Sequence, residues 1–290
     1  MSRRRERPWW ILVVLTLVGC AADHDADAVT VRVGASAPGP MSPAASLPTH
    51  AAPTAAGALA TATAAALASP SPTKIPGLVN RTTTFGYSVQ GRPLTVTEVG
   101  NPASAHRVLI VGSIHGNELA GDQIAAALQT AALPADADVW IVQKLDPDGA
   151  AIATRQNADG VDLNRNFPFR WQPLGPRGSL DYSGTRALSE PEAAAAASLI
   201  ARIHPTLAIW FHQHLAVVDD SQGPLNVERR FSALVGLPLA RLTDYPGSVI
   251  GWEDSMFGPT AFVVELPAGQ SAAVGVQRYV DAIEAVETMN

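Results

Sequence analysis

Val108-Leu109-Ile110-Val111-Gly112-Ser113-Ile114-His115-Gly116-Asn117-Glu118 decides the fold of this 290-residue chain. A β-branched run that empties into a glycine-containing loop delivers its last side chains to the carboxyl edge of a sheet, where open α/β folds place their chemistry. The loop holds an imidazole and a carboxylate three residues apart. These are two of the three protein ligands that a catalytic zinc takes while it keeps a position open for water. The chain has seven histidines and 26 acidic residues, so an isolated His-x-x-Glu arises readily by chance and its surroundings must decide.

Two more apolar runs end in the same kind of group. Leu207-Ala208-Ile209-Trp210-Phe211 leads into His212, and Ala261-Phe262-Val263-Val264 leads into Glu265. Three strands ending in His, His and Glu would converge at one sheet edge. Between them, residues 155–168 are dense in hydrogen-bonding side chains within a chain that is 47% hydrophobic, which marks a recognition surface or an elaborate turn. Residues 85–89 and 94–99 read as an opening hairpin, 107–111 as a central strand, 120–133 as a helix and 138–142 as a strand. Ser189-Glu190-Pro191-Glu192 has a Ser N-cap, Pro in the first turn and Glu at the capping-box position, so a helix runs to about residue 203. Residues 271–288 close the chain as a helix. Strands alternating with helices predict a three-layer α/β/α sandwich with a mixed, mostly parallel central sheet.

The order His115-x-x-Glu118, Arg155, Val161-Asp162-Leu163-Asn164-Arg165-Asn166-Phe167, His212 and Phe262-Val263-Val264-Glu265-Leu266 resembles the zinc metallocarboxypeptidase A superfamily. The resemblance runs from about Thr83 to the C-terminus and implies a catalytic domain over residues 83–290. Tyr245-Pro246-Gly247-Ser248 followed by Trp252, with the compact length, is most similar to the bacterial murein peptide amidase branch. The resemblance implies one zinc held by His115, Glu118 and His212, with Asp162 accepting a hydrogen bond from the first metal His. It implies that Asn164 and Arg165 clamp a terminal carboxylate, that Arg155 polarises the scissile carbonyl and that Tyr245 covers the leaving group. Glu265 would take a proton from the attacking water and pass it to the leaving amine.

Some alternatives stay open. His214 rivals His212, because residues two apart on a strand face the same way. Asp162 also suits an Asx-turn. The stretch Val249-Ile250-Gly251 offers no acid for the distal ammonium of diaminopimelate, which leaves Glu253 or Asp254. The leading function is a zinc exopeptidase or amidase hydrolysing a C-terminal peptide bond, in cell-wall peptides the one between γ-D-glutamate and meso-diaminopimelate. The alternatives are a general metallocarboxypeptidase, an aspartoacylase-like deacylase of N-acyl amino acids, and a non-catalytic wall-binding module. The last should have lost a ligand or the base, and none is missing.

Outside this region the sequence reads as targeting and spacer. Arg3, Arg4, Arg5 and Arg7 precede an apolar segment, Trp9 to Val18, too short to span a bilayer comfortably, so residues 1–19 predict an export signal. Leu17-Val18-Gly19-Cys20 resembles the bacterial lipobox, which makes Cys20 the lipidated first residue of an exported, membrane-anchored protein. Cys20 is the single cysteine, so no intrachain disulfide forms. Residues 20–75, rich in Ala, Pro and Thr, cannot bury enough apolar surface to order themselves and predict a disordered tether. The net charge is −6, and with no basic cluster to track a phosphate backbone, nucleic acid is excluded as a partner.

Overall fold

The computed structural model describes residues 77–132, 135–220, 223–269 and 273–289. The expected signal, Cys20 and the tether lie outside these residues. In chain order the elements are β1 (Val79–Tyr87), β2 (Pro93–Gly100), β3 (His106–Val111), α1 (Ala120–Leu128), β4 (Ala137–Val142), α2 (Pro147–Ile152), α3 (Pro191–Ile203), β5 (Leu207–Asp219), α4 (Leu225–Val235), β6 (Leu239–Ala240), α5 (Val249–Phe257), β7 (Ala261–Pro267) and α6 (Ala273–Glu284). A short 3-10 turn, Leu163–Arg165, sits between α2 and α3.

The sheet has seven strands in the order β1-β2-β4-β3-β5-β6, with β7 also paired to β5. β1, β2 and β4 pair antiparallel, whereas β3 is parallel to both β4 and β5, and β5 is parallel to β6 and β7. The parallel half therefore gathers the carboxyl ends of β3, β5 and β7. Alternation along β3 sends Val108 and Ile110 to one face and Leu109 and Val111 to the other. The first face is covered by α1, α4 and α6 through Ile124, Phe231 and Ile283. The second is covered by α3 and α5 through Ile200 and Trp252. This is the three-layer α/β/α sandwich that the alternating elements predict.

Several boundaries differ from the sequence reading. β1 begins at Val79 rather than residue 85, in a run of threonines that pairs with β2 from Gly100 onward. α1 stops at Leu128, because the Thr130 hydroxyl takes Ala127 O and Asn80 Nδ2 takes Gln129 O. Ser189 is not the N-cap of α3. Glu190 holds that position with no side-chain cap bond, while Ser189 Oγ donates to the Glu190 carboxylate. Glu192 is buried and accepts Val89 N–H and Asn157 Nδ2 instead of closing a capping box. β5 does not end at Phe211 but continues through a register shift to Asp219, staying paired with β7 as far as Val218. His212 and Glu265 thus lie inside strands, and the continuation of β5 builds one wall of the cavity described below.

Candidate metal centre and substrate cavity

Four residues beyond β3, the loop turns back on itself as Glu118 N–H donates to His115 O at 3.2 Å. Gly116 makes the turn possible, since a Cβ there would meet the Gly149 carbonyl carbon at 2.1 Å. His212 arrives from the neighbouring strand. His115 Nδ1 lies 3.0 Å and His212 Nδ1 3.1 Å from Glu118 Oε2, and all three residues are buried. Bonds of about 2.0–2.2 Å to a tetrahedral zinc place ligand atoms roughly 3.3 Å apart, so these spacings fit that ion. Among the described residues the buried His115 Nδ1 makes no hydrogen bond despite Glu118 beside it, as befits an atom aimed at a point shared with its neighbours.

Around the ligands the charges are arranged to favour a cation. Asp162 Oδ1 is 3.0 Å from His115 Nε2, which puts the imidazole proton there and leaves the Nδ1 lone pair for the metal. Burial by itself would raise the Asp162 carboxyl, yet His115 and Arg155 hold it well below the usual carboxylate range. Glu118 is treated the same way, burial being overcome by the His115 and His212 imidazoles. Both acids are therefore ionised, the form a metal requires. Asp162 also accepts Asn164 N–H at 2.9 Å and caps the 3-10 turn, so the ligand-positioning role and the Asx-turn role coexist in one side chain.

Arg155 bridges the two carboxylates, donating to Glu118 Oε1 at 2.7 Å and to Asp162 Oδ2 at 3.0 Å. It also lines a cavity of about 210 Å³ together with Asn164, Arg165, His212, Tyr245 and Glu265. Asn164 Oδ1 accepts Val249 N–H at 2.9 Å, so the carboxamide is anchored to the start of α5 through its oxygen. The Arg165 guanidinium lies 4.1 Å from the centre of the half-exposed Tyr245 ring, a cation–π contact. Gly247, at φ +78°, would carry a Cβ 2.0 Å from Arg165 O. Phe167 N–H donates to Gly247 O at 3.0 Å, and Gly247 N–H to Phe169 O at 2.7 Å, which fastens the Tyr245 loop to the Asn164-Arg165 turn. Glu265 is the register partner of His212, is half-buried, and faces Leu215 N–H at 3.4 Å.

The structure thus brings His115, Glu118, His212, Asp162, Arg155, Asn164, Arg165, Tyr245 and Glu265 to one place. His214 is exposed and outside the group of possible ligands. Glu253 and Asp254 do not line the cavity. Glu253 is fully buried and accepts Trp210 Nε1–H, and Asp254 accepts the N–H groups of Thr260 and Ala261. The acids that line it besides Glu265 are Asp219 and Asp244. The apolar run Leu215-Ala216-Val217-Val218 was the signal that β5 continues and carries Asp219 to the wall. Gln213 was missed as well: its side chain accepts Ala120 N–H and its own N–H donates to Glu118 Oε2, holding the ligand loop against β5.

A mixed α/β/α sandwich with a His-Glu-His centre beside the Asn164-Arg165 turn defines a zinc carboxypeptidase. The zinc carboxypeptidase family (peptidase M14) matches residues 72–218, and the chain belongs to it. Among individual proteins, the chain is 33% identical over 219 residues to murein peptide amidase A of Vibrio campbellii, covering 70% of this chain and 86% of that one. It is 32% identical over 182 residues to the Escherichia coli K12 protein of the same name, covering 58% and 74%. Among solved structures it superposes on murein-tripeptide amidase MpaA of E. coli O157 with a TM-score of 0.59 at 28% identity, covering 71% of this chain and 91% of that one. Carboxypeptidase A of Helicoverpa armigera shares the fold, with a TM-score of 0.60 at 19% identity and coverage of 74% and 67%. The chain is a zinc metallocarboxypeptidase, a hydrolase of peptide bonds.

Proposed function

We propose that this enzyme is an exported amidase of murein peptides that hydrolyses the bond between γ-D-glutamate and meso-diaminopimelate. The observation that carries the reading is the cavity in which Glu265 and His212, one of the His115-Glu118-His212 group, stand beside the Asn164-Arg165 turn. Such a cavity suits a terminal residue with a free carboxylate next to the bond to be cut. The named murein peptide amidases, matched over most of their length, support the substrate class. The Arg-rich leader and Leu17-Val18-Gly19-Cys20 support export and a lipid anchor at Cys20, which would bring the enzyme to cell-wall peptides.

In this scheme Arg165 and the Asn164 carboxamide bind the terminal carboxylate with planar donors, while Tyr245 covers the leaving residue. A zinc ion in a two-His, one-carboxylate shell supplies Lewis acidity and makes water a usable nucleophile near neutral pH. Glu265 accepts the proton from the attacking water and returns it to the leaving amine. Arg155 supplies the donor that holds negative charge developing on the scissile carbonyl oxygen, and its ion pairs to Glu118 and Asp162 keep it in place beforehand.

Mass spectrometry of purified muropeptides digested with the protein tests the proposal. Release of free diaminopimelate with fragments left ending in D-glutamate, abolished by a chelator and restored by zinc, is the expected result. Cleavage of ordinary C-terminal residues with no action on muropeptides would make it a general carboxypeptidase instead.

A further inference from the structure

Helix α1 begins without a cap of its own. Leu119 stands at its N-cap position and makes no side-chain cap bond, and the first backbone N–H groups of an α-helix have no partner inside it. The Ala120 N–H is satisfied from another element: Gln213 Oε1 reaches across from β5 and accepts it at 2.9 Å. Ala120 follows Glu118 by two residues, so this borrowed cap pins the segment that carries the carboxylate of the His115-Glu118-His212 group.

The nitrogen of the same amide is used as fully. Gln213 Nε2 donates to Pro267 O at 3.0 Å and to Gly269 O at 2.7 Å, where β7 ends shortly after Glu265. The Gln213 backbone N–H donates to Glu118 Oε2 at 3.2 Å. One residue thus joins the ligand loop, the strand of His212 and the end of the strand that carries Glu265. The three side-chain bonds call for one acceptor and two donors, which is the inventory of a carboxamide. A carboxylate would face two carbonyl oxygens, a lysine has no acceptor, and asparagine is one methylene shorter. Gln213 is only partly buried and does not line the cavity, so its worth lies in local order and not in the core or in substrate contact.

We infer that Gln213 is a positioning residue for the reaction: its carboxamide sets the Glu118 segment and the Glu265 strand against one another, so that zinc retention and the alignment of the base depend on it together. The inference rests on the proposed roles of Glu118 and Glu265, and it holds for whichever peptide is cleaved.

Gln213→Met tests it, because methionine keeps the length and the backbone N–H and loses all three side-chain bonds. Competition with a chelator should show zinc held on the order of 10–100-fold more weakly, the usual scale when a supporting partner of a metal site is lost. Saturated with zinc, the variant should turn over the best-cleaved peptide with kcat lowered about 10–100-fold, as misplacement of a reacting group does. KM should change little, since the Asn164-Arg165 turn is untouched. Gln213→Glu restores the acceptor alone: hydrogen exchange of the Ala120 amide in the zinc-loaded protein, fast in Gln213→Met, should be slow again, while kcat stays low because Pro267 and Gly269 still lack their donor. The unmutated protein gives a test that needs no variant to fold, and an Ala120 amide exchanging there as fast as an unprotected one would overturn the inference. So would a Gln213→Met protein with a lower melting temperature but parental zinc affinity and kcat, the mark of a purely structural role. Failure of the ligand reading appears separately, as an unmutated protein that binds no zinc.

Discussion

His212 and Glu265 are register partners on the parallel strands β5 and β7, so the sheet itself sets the proposed metal ligand and the proposed base side by side. The strand pairing fixes this relationship more rigidly than a loop would, because neither residue can shift without moving a ladder of hydrogen bonds.

Metal content should depend on His115 and His212 and not on His214. His115→Ala or His212→Ala removes an Nδ1 that meets Glu118 Oε2, whereas His214 is exposed. Elemental analysis should find the first two variants depleted and His214→Ala close to one zinc per chain. Asp162→Asn should bind zinc about 10–100-fold more weakly, as is usual when the partner of a metal-ligating histidine is lost. A zinc-free His214→Ala beside a full His212→Ala would reverse the assignment.

A free carboxylate on the substrate should be required. Asn164 and Arg165 present donors that an amide cannot match, and the loss of a charge-assisted contact costs a few kcal/mol, about a hundredfold in kcat/KM. Amidating a good substrate should nearly abolish its cleavage, and Arg165→Ala should erase most of the difference between acid and amide. Equal rates on acid and amide with the unmutated enzyme would mark an endopeptidase.

Much of this was legible in the sequence, for identifiable reasons. β3 announces itself because it is buried on both faces and reads as an unbroken apolar run, and the Asp162-Leu163-Asn164-Arg165 turn stands out because its polar density is unusual in an apolar chain. The far wall was not legible. β5 beyond His212 alternates poorly and shifts register, so its periodicity fades where Asp219 lies. α5 goes unassigned in the sequence because Val249-Ile250-Gly251 carries no helix signal except the Ser248 cap, whose hydroxyl accepts Gly251 N–H.

Stability should carry a pH dependence from Glu253. Burial pushes its carboxyl up to about 8, against the Trp210 hydrogen bond and with Asp254 adding to the effect. Its ordinary value is 4.5, so between these values the folded chain holds a proton that the unfolded chain has released. The group's contribution is thus complete below about pH 4.5 and is lost as pH rises through 8. Glu253→Gln keeps a partner for Trp210 and has nothing to ionise. Its melting temperature relative to the parent should climb from about pH 5 to pH 8 and then level off, at roughly 2–4 °C per kcal/mol for a domain of this size. A difference that stays constant with pH would show that Glu253 ionises normally.

Anchoring should depend on Cys20. The proposed lipobox Leu17-Val18-Gly19-Cys20 predicts that the mature protein fractionates with membranes and carries acyl chains on Cys20, two chains being enough for firm attachment. Cys20→Ser should release it or block its processing. Unchanged fractionation and processing would place the anchor elsewhere.

The most direct test of the catalytic assignment is turnover by Glu265→Gln measured together with its zinc content. Gln keeps the shape of the side chain at the His212 register position and cannot accept the proton. Full zinc occupancy with kcat reduced by about 10²–10⁴-fold, the usual contribution of a general base, is the expected result. A zinc-loaded Glu265→Gln enzyme that turns over at the parent rate would contradict it.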